Sequence, residues 1–172
     1  MIKFPLIMGI LNVTPDSFYD GGKYTLFENA INRAEEILSQ GGDIVDVGAE
    51  STRPGCEPVS VKEEIARALP VICEIKRLWP HTEISIDTYN FQTARAALEE
   101  GASIINDVSG LKDIRLAKLA KEHGAKLVIM HARATPKDMQ KHCRYDDILK
   151  EIYQFFEQKT AAAQAAGLPR KD

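Results

Sequence analysis

Three apolar runs in this chain each finish in an amide or a carboxylate: Leu6-Ile7-Met8-Gly9-Ile10-Leu11-Asn12, Ile84-Ser85-Ile86-Asp87 and Ile104-Ile105-Asn106-Asp107. Each is too hydrophobic for a strand with one wet face, which is the composition of a buried parallel strand. Between the strand-like runs, apolar residues recur at helical spacing. Leu26, Ala30, Ala34, Ile37 and Leu38 predict a helix that opens at the capping box Thr25-Leu26-Phe27-Glu28 and stops at Gly41-Gly42. A strand over Asp43–Val47 follows. Ser60-Val61-Lys62-Glu63 is a second capping box, leading a helix with Ile65, Leu69, Ile72 and Ile75 on one face and Trp79-Pro80 at its end. Pro70 lies inside that helix and is expected to kink or split it.

The alternation continues through a strand over Glu83–Asp87, a helix over Phe91–Glu100 stopped by Gly101, and a strand over Ser103–Val108. A helix over Ile114–His123 follows, with Asp113 as N-cap and Gly124 just past its end. The strand Lys126–His131, a polar loop through Thr135-Pro136 and a long helix over Asp146–Ala166 complete the pattern. Roughly five βα units run on without a linker or a composition break, so the fold class is α/β with a parallel sheet. In a (β/α) barrel, the ligand site is built at the C-terminal ends of the strands. Asn12, Asp87, Asn106 and Asp107 all fall there.

Composition bounds the rest. At 172 residues and 44% hydrophobic, the chain can bury a core and has the size of one domain. A complete (β/α)8 barrel typically takes ~250 residues, well beyond this length. The net charge of −3 gives no reason to expect nucleic acid or an anionic membrane as partner. No apolar run approaches the length of a membrane span. Cys56, Cys73 and Cys143 are odd in number and widely spaced. They fit neither a disulfide framework nor a zinc site, and a reducing cytoplasm is the expected compartment.

Several longer stretches carry a resemblance. Leu11-Asn12-Val13-Thr14-Pro15-Asp16-Ser17-Phe18, followed by Asp20-Gly21-Gly22, resembles the first signature of the dihydropteroate synthase family. Gly48-Ala49-Glu50-Ser51-Thr52-Arg53-Pro54-Gly55 looks like its second. Ser85-Ile86-Asp87-Thr88 and Ile105-Asn106-Asp107-Val108-Ser109-Gly110 are similar to its third and fourth strand ends. Met130-His131 with Thr135-Pro136 resembles the fifth. These motifs stand in the family's order and cover nearly the whole chain. Tyr19, where serine is common, and Ala132 and Ala134 around Arg133 are small departures.

The resemblance implies a (β/α)8 TIM barrel, a transferase of folate biosynthesis. Such an enzyme condenses 6-hydroxymethyl-7,8-dihydropterin pyrophosphate with p-aminobenzoate and releases pyrophosphate with help from Mg²⁺. It also implies sulfonamides as inhibitors. By the same resemblance, Asp87 and Asn106 would hold the pterin, and Asn12 would lie near the metal and pyrophosphate. Phe18 and Pro54 would sandwich the p-aminobenzoate ring. Thr52 and Arg53 would meet anionic groups, Asp20 would order the closed loops, and Met130 would lie beside the pterin ring. Asp87, Asn106 and Arg53 are the candidates for the catalytic role.

The residue types suit these roles. The pterin edge is a guanidine-like array of N–H donors, which a fixed carboxylate accepts as it would arginine. An asparagine offers both a donor and an acceptor to an edge where the two alternate. An amide oxygen can ligate Mg²⁺, which usually keeps waters and phosphate oxygens as its other ligands. Each residue also has a plainer reading. Asp87 would serve as N-cap for the helix from Phe91, Asn106 as a tie within loop backbone, and Asn12 as the start of an Asx-turn. Phe18 would be a hydrophobic anchor, Arg53 a solvated charge and Met130 a gap-filling core residue. His131 at a strand end, and Asp46 and Asp107, stay undecided between site and scaffold.

The family's sixth strand with an Asp-Pro-Gly-containing motif, its later lysine strand and its final Arg-x-His motif are not in this sequence. Residues 1–172 are therefore expected to be the N-terminal part of a single pterin-binding barrel domain, a partial barrel inactive by itself. Its open sheet edges predict a homodimer or other self-association. Two other readings compete with the synthase: a non-catalytic module that keeps half of a pterin site, and a pterin-binding methyltransferase domain. The Asn12–Phe18 and Ser51–Gly55 stretches favour the synthase over the methyltransferase.

Overall fold

The computed structural model describes residues 5–14, 23–50, 58–134 and 144–170, with the backbone alone for 23–25. Its strands are β1 (Met8–Asn12), β2 (Ile44–Gly48), β3 (Glu83–Asp87), β4 (Ile104–Asp107) and β5 (Lys126–Ile129). The helices between and after them are α1 (Lys23–Ser39), α2 (Val61–Leu78), α3 (Phe91–Glu99), α4 (Arg115–His123) and α5 (Ile148–Ala165). The strands form one parallel sheet in chain order, β1-β2-β3-β4-β5.

Register and alternation give the sheet two different faces. Leu11, Val45, Val47, Ile84, Ile86 and Ile105 are buried on the face the helices cover. They join one core with Ala30, Ala34 and Ile37 of α1, Ala68, Val71, Ile72 and Ile75 of α2, Ala94, Ala97 and Leu98 of α3, and Leu116, Ala117, Leu119 and Ala120 of α4. Gly9 shows how closely α1 approaches β1. A Cβ on it would sit 2.3 Å from the Ile37 side chain.

The other face is concave and carries Ile10 and Asn12, Asp46 and Gly48, Ser85 and Asp87, Ile104 and Asn106, and Val128. These positions fall into register rows across the strands. On the two edge strands this face is open: Ile10 is 64% and Val128 42% exposed. The expectation of strands buried on both faces therefore holds for β2 to β4 and not for the edges. An edge strand keeps a neighbour on one side only, and its inward side chains are covered only when the barrel around them is closed.

Most of the predicted elements form as expected, with differences that local chemistry explains. Ser60 caps α2, its hydroxyl accepting from the Glu63 N–H at 3.3 Å. The Glu63 carboxylate turns to Arg67 and does not close the capping box. α2 runs through Pro70 unbroken. Pro70 is exposed, and so is Ala66, whose carbonyl loses its donor, so water can satisfy that group. The buried face of α2 is Glu64, Ala68, Val71, Ile72 and Ile75, so Ile72 and Ile75 are buried as expected while Glu64 and Ala68 take the places expected for the half-buried Ile65 and Leu69. α1 begins at Lys23, before the predicted cap at Thr25. α4 begins at Arg115 with Ile114 at the N-cap position instead of Asp113, though Asp113 still accepts from the Arg115 N–H at 3.0 Å, and Gly124 with φ +64 caps its C-terminal end. β5 stops at Ile129, which leaves Met130 and His131 beyond the strand.

Candidate functional site

The C-terminal ends of β1 to β4 bring one row of side chains together on the concave face. Asn12, Gly48, Asp87 and Asn106 are register partners in turn across the four strands. Gly48 keeps the middle of the row open. A Cβ there would lie 3.3 Å from Asn12 Oδ1 and 3.4 Å from Asp87 Oδ2, so the amide and the carboxylate flank a gap that any other residue would fill. One step deeper in the sheet, Asp46 and Ser85 are register partners. Asn106 donates from Nδ2 to Asp46 Oδ2 at 3.1 Å.

This row is rich in oxygens without donors. Asp87 Oδ1, Asp46 Oδ1 and Ser85 Oγ are buried and have no hydrogen-bond partner, and the same is true of Glu50 Oε2 at the end of β2. Buried polar atoms are normally paired, so a cluster of unpaired acceptors is a candidate place for donors that the described residues do not supply. Burial, chiefly, and then the charges of Asp46, Glu64, Glu50 and Asp107 push the Asp87 carboxyl up to about 7. A ligand edge that presents N–H donors relieves both the desolvation and the repulsion.

The turn after β3 is held from below. The Thr88 N–H donates to the Asn106 carbonyl at 3.1 Å. The Thr88 hydroxyl donates to Glu64 of α2 at 2.5 Å. The Tyr89 hydroxyl donates to Glu50 Oε1 at 2.7 Å, which ties this turn to the end of β2. Burial, and then the Glu50 carboxylate, hold the Tyr89 hydroxyl well above the usual range for tyrosine. Asp87 does not cap α3, because Asn90 takes the N-cap position.

The undecided residues now separate. Asp46 belongs to the concave face. Asp107 lies on the helix side and is fully buried. It braces the following loop, accepting from the Ser109 and Leu111 N–H groups at 2.7 Å each. His131 packs edge to face on Phe155 of α5 with ring centroids 4.8 Å apart, a scaffold contact. Met130 is half-buried, and its N–H donates to the Asp107 carbonyl at 3.0 Å. That bond continues the ladder, so alternation puts Met130 on the concave side with Val128. Phe18, Asp20, Thr52, Arg53 and Pro54 lie outside the described residues.

Glu64, Thr88, Glu50 and Tyr89 are the participants that sequence reading passed over. Glu64 carried one signal: with Ser60 as the N-cap of α2, it is the charged residue that shares a face with Ala68, Val71, Ile72 and Ile75.

Among the described residues, no group of three or more His, Cys, Asp or Glu comes together as a metal cage. A cation of the Mg²⁺ type does not require one, since it keeps several waters and takes phosphate oxygens from its substrate. Asn12 Oδ1 at the rim of the Gly48 gap, with Asp87 Oδ2 across it, fits such a cation.

Comparison with known proteins agrees with this geometry. The model of a family described as pterin binding enzyme matches residues 8–172. The dihydropteroate synthase of Streptococcus pyogenes serotype M1 is 46% identical over 167 residues, which are 96% of this chain and 60% of that enzyme. The crystal structure of Yersinia pestis dihydropteroate synthase in a sulfonamide drug complex superposes with a TM-score of 0.87 at 37% identity, covering 96% of this chain and 60% of that one. The Xanthomonas albilineans enzyme with 4-aminobenzoic acid gives 0.87 and 37%, covering 96% and 58%. The chain thus spans about 60% of the length of these three relatives. Its five-stranded sheet is part of their TIM barrel. The chain belongs to the pterin binding enzyme family.

Proposed function

We propose that this chain carries the N-terminal part of a dihydropteroate synthase, a transferase of folate biosynthesis that joins dihydropterin pyrophosphate to p-aminobenzoate. The observation that carries the proposal is the buried, unpartnered Asp87 Oδ1 in one row with Asn12 and Asn106 at the ends of parallel strands. An acceptor held bare in a carboxylate-rich surround suits the N–H edge of a pterin. The related structures, one with a sulfonamide drug and one with 4-aminobenzoic acid, support the second substrate and the inhibitor class.

In this reading Asp87 accepts from the pterin edge, and Asn106, oriented by Asp46, adds a second contact through its amide. Met130 packs on the ring. Asn12 would hold the pyrophosphate end and Mg²⁺, which would supply neutralisation of charge on the leaving pyrophosphate oxygens. The amine nitrogen of p-aminobenzoate attacks the methylene carbon of the pterin. The bond from that carbon to the pyrophosphate oxygen breaks, and the amine gives up its proton. Phe18 and Pro54 sandwich the incoming ring, Thr52 and Arg53 meet anionic groups, and Asp20 orders the loops. Most of the rate in such a scheme comes from positioning and charge stabilisation.

The 172 residues by themselves supply the first half of this constellation on an open sheet. Alone they are expected to bind a pterin, to self-associate through the edges of β1 and β5, and not to turn over. A reducing cytoplasm is the proposed compartment. Among the described residues, no helix is long and apolar enough to cross a membrane. Calorimetric titration with 6-hydroxymethylpterin, a pyrophosphate-release assay with p-aminobenzoate and light scattering test these points together. Absence of pterin binding would remove the proposal, and brisk turnover by a monomer would remove the inactive-alone reading.

A further inference from the structure

α2 sends a buried carboxylate beneath the strand end that carries Asp87. Glu64 is 1% exposed, and both of its oxygens are engaged. Oε1 accepts from the Thr88 hydroxyl at 2.5 Å, and Oε2 from the Thr93 hydroxyl at 2.5 Å and the Asn90 amide at 2.8 Å. All of these donors are neutral. Taking a carboxylate out of water is costly unless hydrogen bonds replace the lost hydration. Here they come entirely from the turn between β3 and the first residues of α3.

The two threonines differ in what lies next to them. Thr88 directly follows Asp87. Its N–H is anchored on the Asn106 carbonyl at 3.1 Å, and its Oγ1 accepts from the Asn90 N–H at 3.0 Å while donating to Glu64. The peptide on which the Asp87 carboxylate is mounted is therefore gripped by β4 through the backbone and by α2 through the side chain. Thr93 makes an equally short bond to Glu64 but lies within α3, away from the strand end.

We propose that Glu64 is a positioning residue for Asp87, acting through Thr88 to hold that carboxylate on the concave face with Oδ1 unpartnered. The proposal rests on the pterin reading of that face. It explains how Asp87 stays fixed with Oδ1 unpartnered, since its own side chain need not anchor the turn.

Thr88→Val and Thr93→Val test it as a pair. Each removes one buried hydroxyl that donates to Glu64 and keeps the volume, while Thr88→Val also removes the acceptor of the Asn90 N–H, so the pair is compared by pterin affinity and by the Asp87 resonance. We expect Thr88→Val to weaken 6-hydroxymethylpterin binding about tenfold in calorimetry, the scale of one lost hydrogen bond. Thr93→Val should change it less than about twofold while still lowering Tm, and Thr88→Ser should restore the wild-type affinity. In the ligand-free protein, the ¹³C resonance of the Asp87 carboxyl should move in Thr88→Val and stay in Thr93→Val. Should Thr88→Val not fold, Glu64→Gln takes its place with the same expectation. Equal weakening by the two valine variants, or an unmoved Asp87 resonance in Thr88→Val, overturns the proposal. A wild-type protein that ignores the pterin while the resonance moves as stated sinks the pterin reading and sustains the positioning role.

Discussion

Asn106 of β4 donates its amide to Asp46 of β2 at 3.1 Å, reaching over β3 to do so. Adjacent strands lie about 4.8 Å apart, so strands two apart are separated by roughly 9.6 Å when the sheet is flat. Short side chains close that distance only where the sheet curves towards them. The bond therefore reports the inward curvature of a barrel wall, and it spends one amide hydrogen of Asn106 on the protein. Oδ1 and the other N–H are left for whatever occupies the face.

The first prediction concerns Asp87. Replacing it with alanine removes an acceptor that the row Asn12–Gly48–Asp87–Asn106 holds without a partner. Pterin binding should weaken by about 1.5–3 kcal/mol for each charge-assisted hydrogen bond lost. Wild-type-like affinity for 6-hydroxymethylpterin in the variant would sink the assignment of this carboxylate.

The raised pKa of Asp87 makes a claim about stability. In the unfolded chain an aspartate titrates near ~3.9, whereas here burial and the neighbouring carboxylates push it up to about 7. Between these values the folded state holds a proton that the unfolded state has released, so this group costs stability as pH rises from about 4 to 7. Below that window the cost vanishes, and above it the cost is complete. Asp87→Asn should therefore be more stable than the parent at pH 8, with the difference shrinking towards pH 4. Denaturant melts of both proteins at several pH values measure it, and a difference that grows on acidification would contradict the burial argument.

Ligand binding carries the complementary signature. If the pterin edge donates to ionised Asp87, binding near neutral pH must drive a proton off that group. Calorimetry in buffers of different ionisation enthalpy should reveal proton release in the parent protein and none attributable to this site in Asp87→Asn. Identical proton counts would show that Asp87 is not the acceptor.

Gly48 offers a steric test. Its added Cβ would press on Asn12 Oδ1 at 3.3 Å and Asp87 Oδ2 at 3.4 Å, both at the ends of side chains that can move aside. Gly48→Ala should therefore fold with nearly unchanged Tm and bind pterin several-fold more weakly. Gly9→Ala should do the opposite. Its Cβ meets Ile37 at 2.3 Å inside the core, and such overpacking costs about 1–3 kcal/mol. Denaturant melts and calorimetry on the pair separate the two roles.

Much of the architecture was legible because strands and helices here follow their own periods. Ala30, Ala34 and Ile37 do form the buried face of α1, and Glu83–Asp87 is β3 to the residue. What escaped depends on pairs far apart in the chain. Glu64 reads as one more acid in a charged first turn until α3 brings Thr88, Asn90 and Thr93 to it, 24 to 29 residues along. Asp107 and Asp46 look alike in sequence, and only strand alternation sends one to the helices and the other to the concave face. Pro70 misled because a proline's cost depends on whether the carbonyl it frees faces water, which composition does not reveal.

The order of the sheet has one more consequence. Every strand pairs only with the strand before or after it in the chain. No step in building this sheet therefore waits for a segment that has yet to be synthesised. Each βα unit can dock on the one already in place as it leaves the ribosome, so loop-closure costs stay short-range and assembly runs from the N-terminus outward. On such a route Glu64 grips the turn after β3 before β4 and β5 have formed, and β4 then adds the bond from the Thr88 N–H to the Asn106 carbonyl. The first ligand contacts of the barrel would then be shaped early in translation, with the rest of the wall added to them.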